Sequence, residues 1–205
     1  MKKIIMTIFA LLPMTLAAQD NTWELPEEEQ EEAQVVKVNP DQKYLKGAVT
    51  EVDGRVVFSK HIEVPGKDAA QIYSIVGKYL QKMTREKNQI SSRLVVKDSA
   101  RFVLGGAYEE WLVFKKTAIM LDQTRFYYVI EAQCQDGSAD ITMSRIHYLY
   151  EEVRDPQRYK AEEWITDKVS VNKKNTKLLP LSAKFRRKTI DRKDFIFNKI
   201  ESLLK

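Results

Sequence analysis

The chain has 205 residues, enough for one domain with an appendage, and its 31% of charged residues with few glycines and prolines excludes a low-complexity polymer. The formal charge of +5 conceals an asymmetry: residues 1–32 hold two basic and seven acidic side chains, which leaves 32 basic against 22 acidic ones, a net +10, over residues 33–205. A single cysteine, Cys134, excludes an intramolecular disulfide and, lying far from the N-terminus, a lipid anchor at a cleavage site.

Residues 1–18 read as a secretory signal peptide. Lys2 and Lys3 precede an apolar run over 4–16 broken only by Thr7, Pro13 and Thr15, and Ala17-Ala18 come before the polar Gln19-Asp20. The run is shorter than the roughly 20 apolar residues of a transmembrane helix, and no later run approaches that length. An exported protein with no transmembrane segment is expected, whether periplasmic, outer-membrane-associated or secreted. Residues 19–46 form an acidic leader, either a disordered spacer or a segment that folds back on a basic face.

Residues 55–64 alternate as a half-buried strand, with Val56, Phe58, Ile62 and Val64 opposite Arg55, Ser59, His61 and Glu63. Lys60 interrupts the apolar face and predicts a bulge or a strand edge. Pro65-Gly66 stops the strand. Asp68 then caps a helix whose stripe is Ala69, Ile72, Ile75, Val76, Tyr79, Leu80 and Met83. Gly77 inside that helix costs about 1 kcal/mol against alanine and is explained by a close approach to a sheet. Strands follow at 92–96, 101–116, 125–134 and 139–150, with a hairpin turn at Asp136-Gly137. The apolar phase of the last strand shifts between Ile141, Met143 and Ile146, Tyr148, which predicts a bulge near Ser144-Arg145. Residues 158–169 suit a short amphipathic helix carrying Trp164 and Ile165, residues 172–188 a basic loop, and residues 191–204 a closing helix.

Strand, helix, four strands and helix make an α+β fold: a two-layer sandwich in which a curved antiparallel sheet grips its helices. The expected domain spans 47–152, and a basic C-terminal extension over 153–205 brings the last helix onto it. Val64-Pro65-Gly66-Lys67 before the Ile72-Tyr73 helix, the Lys97-Asp98 turn, the Asp136-Gly137 hairpin and the run from Lys184-Phe185-Arg186-Arg187-Lys188 to Asp191 resemble a secreted Bacteroidota domain of unknown function with a TATA-binding-protein-like fold. The resemblance covers residues 55–150. It implies the same topology, brings no catalytic residues with it, and does not imply DNA binding, because function resides in sites rather than folds.

The chemistry-bearing residues are few. His61 and His147 are the only histidines, and no metal-ligand, nucleophile or phosphate-loop motif is present, so no catalytic residue, metal site or cofactor is expected. Glu109-Glu110 and Glu151-Glu152 are neighbours on strands and point to opposite faces, which unsuits either pair for joint acid–base work. Cys134 follows an apolar strand pattern and reads as a buried, inert thiol. Trp111, Tyr127 and His147 are the candidate ligand-binding residues, because Trp111 and Tyr127 fall on the strand face away from the helix. Lys173, Lys174, Lys177, Arg186, Arg187 and Lys188 are the candidate contacts for a polyanion, in binding that would weaken steeply with salt. Asp98-Ser99-Ala100 also matches a short Asp-Ser/Thr-aliphatic pattern for O-glycosylation at Ser99.

Three functions are open at this point. The first is a non-catalytic module binding an envelope protein or a small ligand. The second is an enzyme acting on an envelope glycan or peptide, with a histidine and an acid brought together by folding. The third is polyanion binding through the basic C-terminal region. Export argues against a nucleic-acid partner.

Overall fold

A computed structural model describes residues 39–152 and 155–205. The stretch expected to be a signal peptide and most of the expected acidic leader lie outside the described residues.

Residues 39–49 open the fold, with a short 3-10 turn at Gln42–Tyr44. Strands β1 (Glu51–Val52) and β2 (Arg55–Val56) make a small hairpin. Its turn residues Asp53 and Gly54 both have positive φ, 50° and 72°, the backbone twist that a two-residue hairpin demands. Strand β3 (Phe58–Glu63) then enters the main sheet, so the alternating run over 55–64 is divided between two sheets. Lys60 causes no bulge, because β3 pairs in continuous register with its neighbour. It lies on an edge strand, facing the helices, and its ammonium reaches Glu201 at 2.5 Å and Asn198 at 3.1 Å.

Helix α1 (Ala69–Met83) starts at a capping box in which Asp68 accepts from the Gln71 amide and Gln71 accepts from the Asp68 amide. Its buried stripe is Ala69, Ile72, Val76, Tyr79, Leu80 and Met83. Strands β4 (Arg93–Asp98), β5 (Val103–Lys116), β6 (Leu121–Gln135) and β7 (Ser138–Tyr150) follow as antiparallel neighbours. Strand β5 runs unbroken through Gly105-Gly106, and opposite this pair the β4 register slips between Leu94 and Val96. Gly106 lies beneath the Tyr108 ring, where a Cβ would come within 2.5 Å of it, and this leaves the Tyr108 hydroxyl free to donate to the Leu80 carbonyl of α1.

The expected bulge is present. Between the pairs Tyr127–His147 and Val129–Ser144 the register slips, and Arg145 takes a φ of 55°. The slip turns Ile146 inward and His147 outward.

Beyond β7 the chain departs from the expected course. Residues 157–160 form strand β8 (Gln157–Lys160), paired with His147 to Tyr150, and only then come two single helical turns, α2 (Ala161–Trp164) and α3 (Asp167–Ser170). Helix α4 (Pro180–Leu204) starts about eleven residues earlier than expected, inside the stretch read as a basic loop. Proline at its start has the φ that the first helical turn needs and lacks only an amide that would be orphaned there. At 25 residues the helix is about 37 Å long.

The sheet order is β3-β7-β6-β5-β4, with β8 beside the far half of β7. Helices α1 and α4 cover one face. Beneath them lie Leu104, Tyr108, Leu112, Phe126, Tyr128, Ile130, Ile141, Met143, Ile146 and Tyr148, all buried. Cys134 is on this face, and burial alone pushes its thiol up to about 11, far from a reactive thiolate at neutral pH.

Candidate functional site

The other face of the sheet has no helix on it. Strand alternation puts Glu109, Trp111 and Val113 of β5, Arg125, Tyr127 and Val129 of β6, and Ser144, His147 and Leu149 of β7 on this side, and all are only partly buried. The register aligns them in two rows. One row runs Trp111, Arg125, Leu149, Arg158 and the next Glu109, Tyr127, His147, Lys160.

The rows are held by side-chain contacts. The Tyr127 and His147 rings stack in parallel at 4.4 Å. The Arg125 guanidinium lies over Trp111 at 5.5 Å, and it donates to both oxygens of Glu152 at 2.6 Å and to Glu109 at 2.9 Å. Glu109 also accepts from the Tyr127 hydroxyl at 3.0 Å. Glu109 and Glu152 hold Arg125 firmly charged. Burial, then the Glu109 hydrogen bond, keeps the Tyr127 phenol above its usual range. The arrangement is a pre-ordered row of flat groups packed face against face across the strands, with Arg125 and the Tyr127 hydroxyl satisfied by Glu109 and Glu152.

Two open clefts border the rows. On one side the β5–β6 hairpin presents Ile119, 97% exposed, with Met120 and Leu121, and these line a depression of about 540 Å³ together with Trp111 and Tyr150. On the other side β3 and β8 leave β7 at the Arg145 bulge. A cleft of about 850 Å³ lies there, lined among others by Arg145, His147, Arg158 and Glu131.

All three candidate ligand-binding residues, Trp111, Tyr127 and His147, therefore share this face. The residues that sequence reasoning missed are Glu109, Arg125 and Glu152. Alternation already placed Arg125 with Tyr127, but only the register shows that one carboxylate bridges both. Glu109 and Glu110 do face opposite sides; Glu110 is buried against α4.

The six candidate polyanion contacts do not form one surface. Arg186 is fully buried and donates to the carbonyls of Tyr44, Leu45 and Ile165 and to Asp167, so its assignment to a surface patch is corrected. Arg187 makes a two-pronged pair with Asp41 at 2.7 and 3.0 Å, and Lys188 is half-buried. Lys173, Lys174 and Lys177 are exposed in the turn before α4. Ser99 is exposed in the turn after β4.

His61 is on the sheet margin, between Asp140 at 2.7 Å and Glu63 at 3.0 Å. Hydrogen bonds that the ring donates to Asp140, then to Glu63, raise its pKa above 6.5. The protonated form is therefore favoured by folding. The resulting stabilisation is complete below the unfolded value of about 6.5 and is lost as pH rises through the folded value. An NMR titration should give His61 a midpoint above 6.5, and Asp140→Asn should bring it down; an unchanged midpoint would show that the pair does not persist in solution. His147 is differently placed, with Nδ1 at 3.1 Å from the Arg145 carbonyl. Among the described residues no cluster of three histidine, cysteine or acidic side chains is arranged to hold a metal, and no helix is long and apolar enough to cross a membrane.

No curated protein matches the chain. The profile of a family described as "Domain of unknown function (DUF4468) with TBP-like fold" matches residues 58–149, from the start of β3 to the end of β7. A solved DUF4468 family protein from Bacteroides ovatus is 43% identical, with a TM-score of 0.75 over 80% of this chain and 94% of that one. A TBP-like protein from Parabacteroides distasonis is 18% identical, with a TM-score of 0.61 over 76% of this chain and 96% of that one, and shows the fold alone. The sheet order, the helices on one face and the identity to the Bacteroides protein together make this chain a member of the DUF4468 family, with the TBP-like fold.

Proposed function

We propose that the protein is an exported, non-catalytic binding module of the cell envelope, and that its open sheet face docks another protein. One observation carries this: the ordered Trp111–Arg125 and Tyr127–His147 contacts lie between two clefts, one of them walled by a hairpin tip whose isoleucine is 97% exposed. Tryptophan, tyrosine and arginine are the residue types that dominate binding hot spots, because they bury large, stiff surfaces at low entropic cost. A flat strand face with an apolar rim suits a protein surface better than a small molecule, which prefers a concave site. Exposed apolar groups grouped at one place mark an interaction site. Export is supported by the first 18 residues.

A photo-cross-linking side chain placed at Gln123 or Leu149, on the open face, should trap one partner in the envelope of the native host. The same group at Lys199 on α4 should not. Trp111→Ala should abolish the cross-link while changing the unfolding free energy by no more than about 1 kcal/mol, since its main fixed contact is one cation–π pair. Equal trapping from both faces, or none from the open face, would reject this reading.

A further inference from the structure

A second groove lies on the helix side of the sheet, where α1 stops short of covering the edge strand β4. Its volume is about 480 Å³, within the usual range of ligand pockets. The floor is apolar: Tyr73 and Gly77 of α1, Leu94 of β4 and Leu104 of β5. The rim is cationic. Lys78 and Lys82 follow one another at helical spacing along α1, Arg85 comes in the turn just after it, and Lys97 faces them from β4.

Two features are not explained by folding. First, no acid partners Lys78, Lys82 or Arg85 among the described residues. Like charges four apart on a helix repel, so Lys78 beside Lys82 gains from an anion lying against the pair, although Lys82 and Arg85 themselves suit the C-terminal end of the helix. Lys97 has a structural use as a charge that blunts an edge strand, and it donates to Gln81 at 3.2 Å, but Lys78, Lys82 and Arg85 are not on that edge. Second, Gly77 weakens the helix, yet packing does not require it. A Cβ there would meet the Leu104 methyls at 3.5 and 3.6 Å, an ordinary contact. The close approach expected from the sequence is therefore not what excludes a side chain. What the missing side chain does is leave the groove floor open above Leu104.

We infer that this groove binds a single-chain amphiphile with an anionic head, its hydrocarbon lying over Gly77, Leu94 and Leu104 and its carboxylate or phosphate among Lys78, Lys82, Arg85 and Lys97. A bare anion would leave the apolar floor unused. A peptide would bring backbone amides onto a floor of apolar side chains that offers them no partners. The site lies on the opposite side of the sheet from Trp111 and Tyr127 and is independent of the docking face.

The test uses the full mature protein and fatty acids below their micellar concentrations, followed by calorimetry. Affinity should rise from octanoate to decanoate to dodecanoate by up to about fourfold per methylene, the factor expected for burying one CH₂. Dodecyl maltoside, with the same chain and no charge, should bind at least tenfold more weakly, and inorganic phosphate more weakly still. Reversing the rim in Lys78→Glu/Lys82→Glu should cost at least tenfold in dodecanoate affinity, and filling the floor with Gly77→Met should cost a similar factor while leaving the rim intact. Trp111→Ala should leave dodecanoate binding unchanged. Chain-length-independent binding, equal binding of dodecyl maltoside, displacement of dodecanoate by an acidic peptide at equal concentration, or no binding at all would overturn the inference. So would dodecanoate binding that neither groove variant alters.

Discussion

Arg192→Met should lower the unfolding free energy by about 3–5 kcal/mol, the usual cost of stranding one member of a buried ion pair. Arg192 and Glu110 are both fully buried between α4 and β5. Arg192 donates from Nε to Glu110 at 2.8 Å and from Nη2 at 2.7 Å, and Nη2 also reaches Glu86 at 2.8 Å. Glu110 accepts in addition from Asn88 and Gln89. Removing the guanidinium leaves a carboxylate in the core with only two amides to solvate it. Removing both charges is a different change: Arg192→Met/Glu110→Leu abolishes both desolvation costs and fills the space with apolar groups, so most of the loss should be recovered. Urea unfolding monitored with a constant slope measures both. For a domain of this size the single variant should melt roughly 10 °C or more below the parent. A single variant within 1 kcal/mol of the parent would mean that water enters this part of the core.

Arg186 and Arg192 explain why α4 was only half legible. Its buried side runs through Ser182, Ala183, Phe185, Arg186, Thr189, Ile190, Arg192, Ile196, Phe197, Ile200 and Leu204. A search for apolar periodicity finds the second half and stops at Asp191, because Arg186, Thr189 and Arg192 count as polar. They are inside because each has partners that only the tertiary fold supplies: carbonyls of a distant segment for Arg186, the Tyr148 hydroxyl at 2.7 Å for Thr189, and Glu110 for Arg192. Helix α1 was legible throughout because its stripe is apolar and its cap is local. Strand β8 was missed because four residues carry too little alternation; its pairing with β7 places it.

The candidate site divides in the same way. Alternation along β5 and β6 suffices to put Trp111 and Tyr127 on the face without helices. His147 reaches that face only because the Arg145 bulge inserts one residue. In an unbroken strand Ile141 and Met143 would share their face with His147, and the stack on Tyr127 would not exist. The phase shift in the sequence signals the bulge. The cross-strand register that sets the Tyr127–His147 and Trp111–Arg125 pairs depends on turn geometry and bulge position together, and neither is a property of one strand.

Arg186→Met should also cost about 3 kcal/mol or more, with a local signature that distinguishes it from Arg192. Four N–H groups of Arg186 are engaged: Nε with the Tyr44 carbonyl at 2.6 Å, Nη1 with that of Ile165 at 2.6 Å, and Nη2 with that of Leu45 at 2.7 Å and with Asp167 at 2.6 Å. The guanidinium joins three segments distant in sequence: the stretch before β1, the turn between α2 and α3, and α4. Without it, three inward-facing carbonyls lose their donor, at about 1–3 kcal/mol for each that water cannot reach. Arg186→Lys should recover little, because one ammonium cannot span a planar fork of acceptors. Tyr44 and Leu45 are tied to α4 by Arg186 and by the Tyr44 hydroxyl bond to Asp191, so hydrogen exchange should show residues 42–50 opening at lower free energy than β5–β7 in this variant. The outcome also decides between core and surface for the basic C-terminal run. A buried Arg186 lends stability and nothing to polyanion affinity. An Arg186→Met protein with unchanged stability and weakened, salt-dependent binding to a polyanion would show that the residue works on the surface.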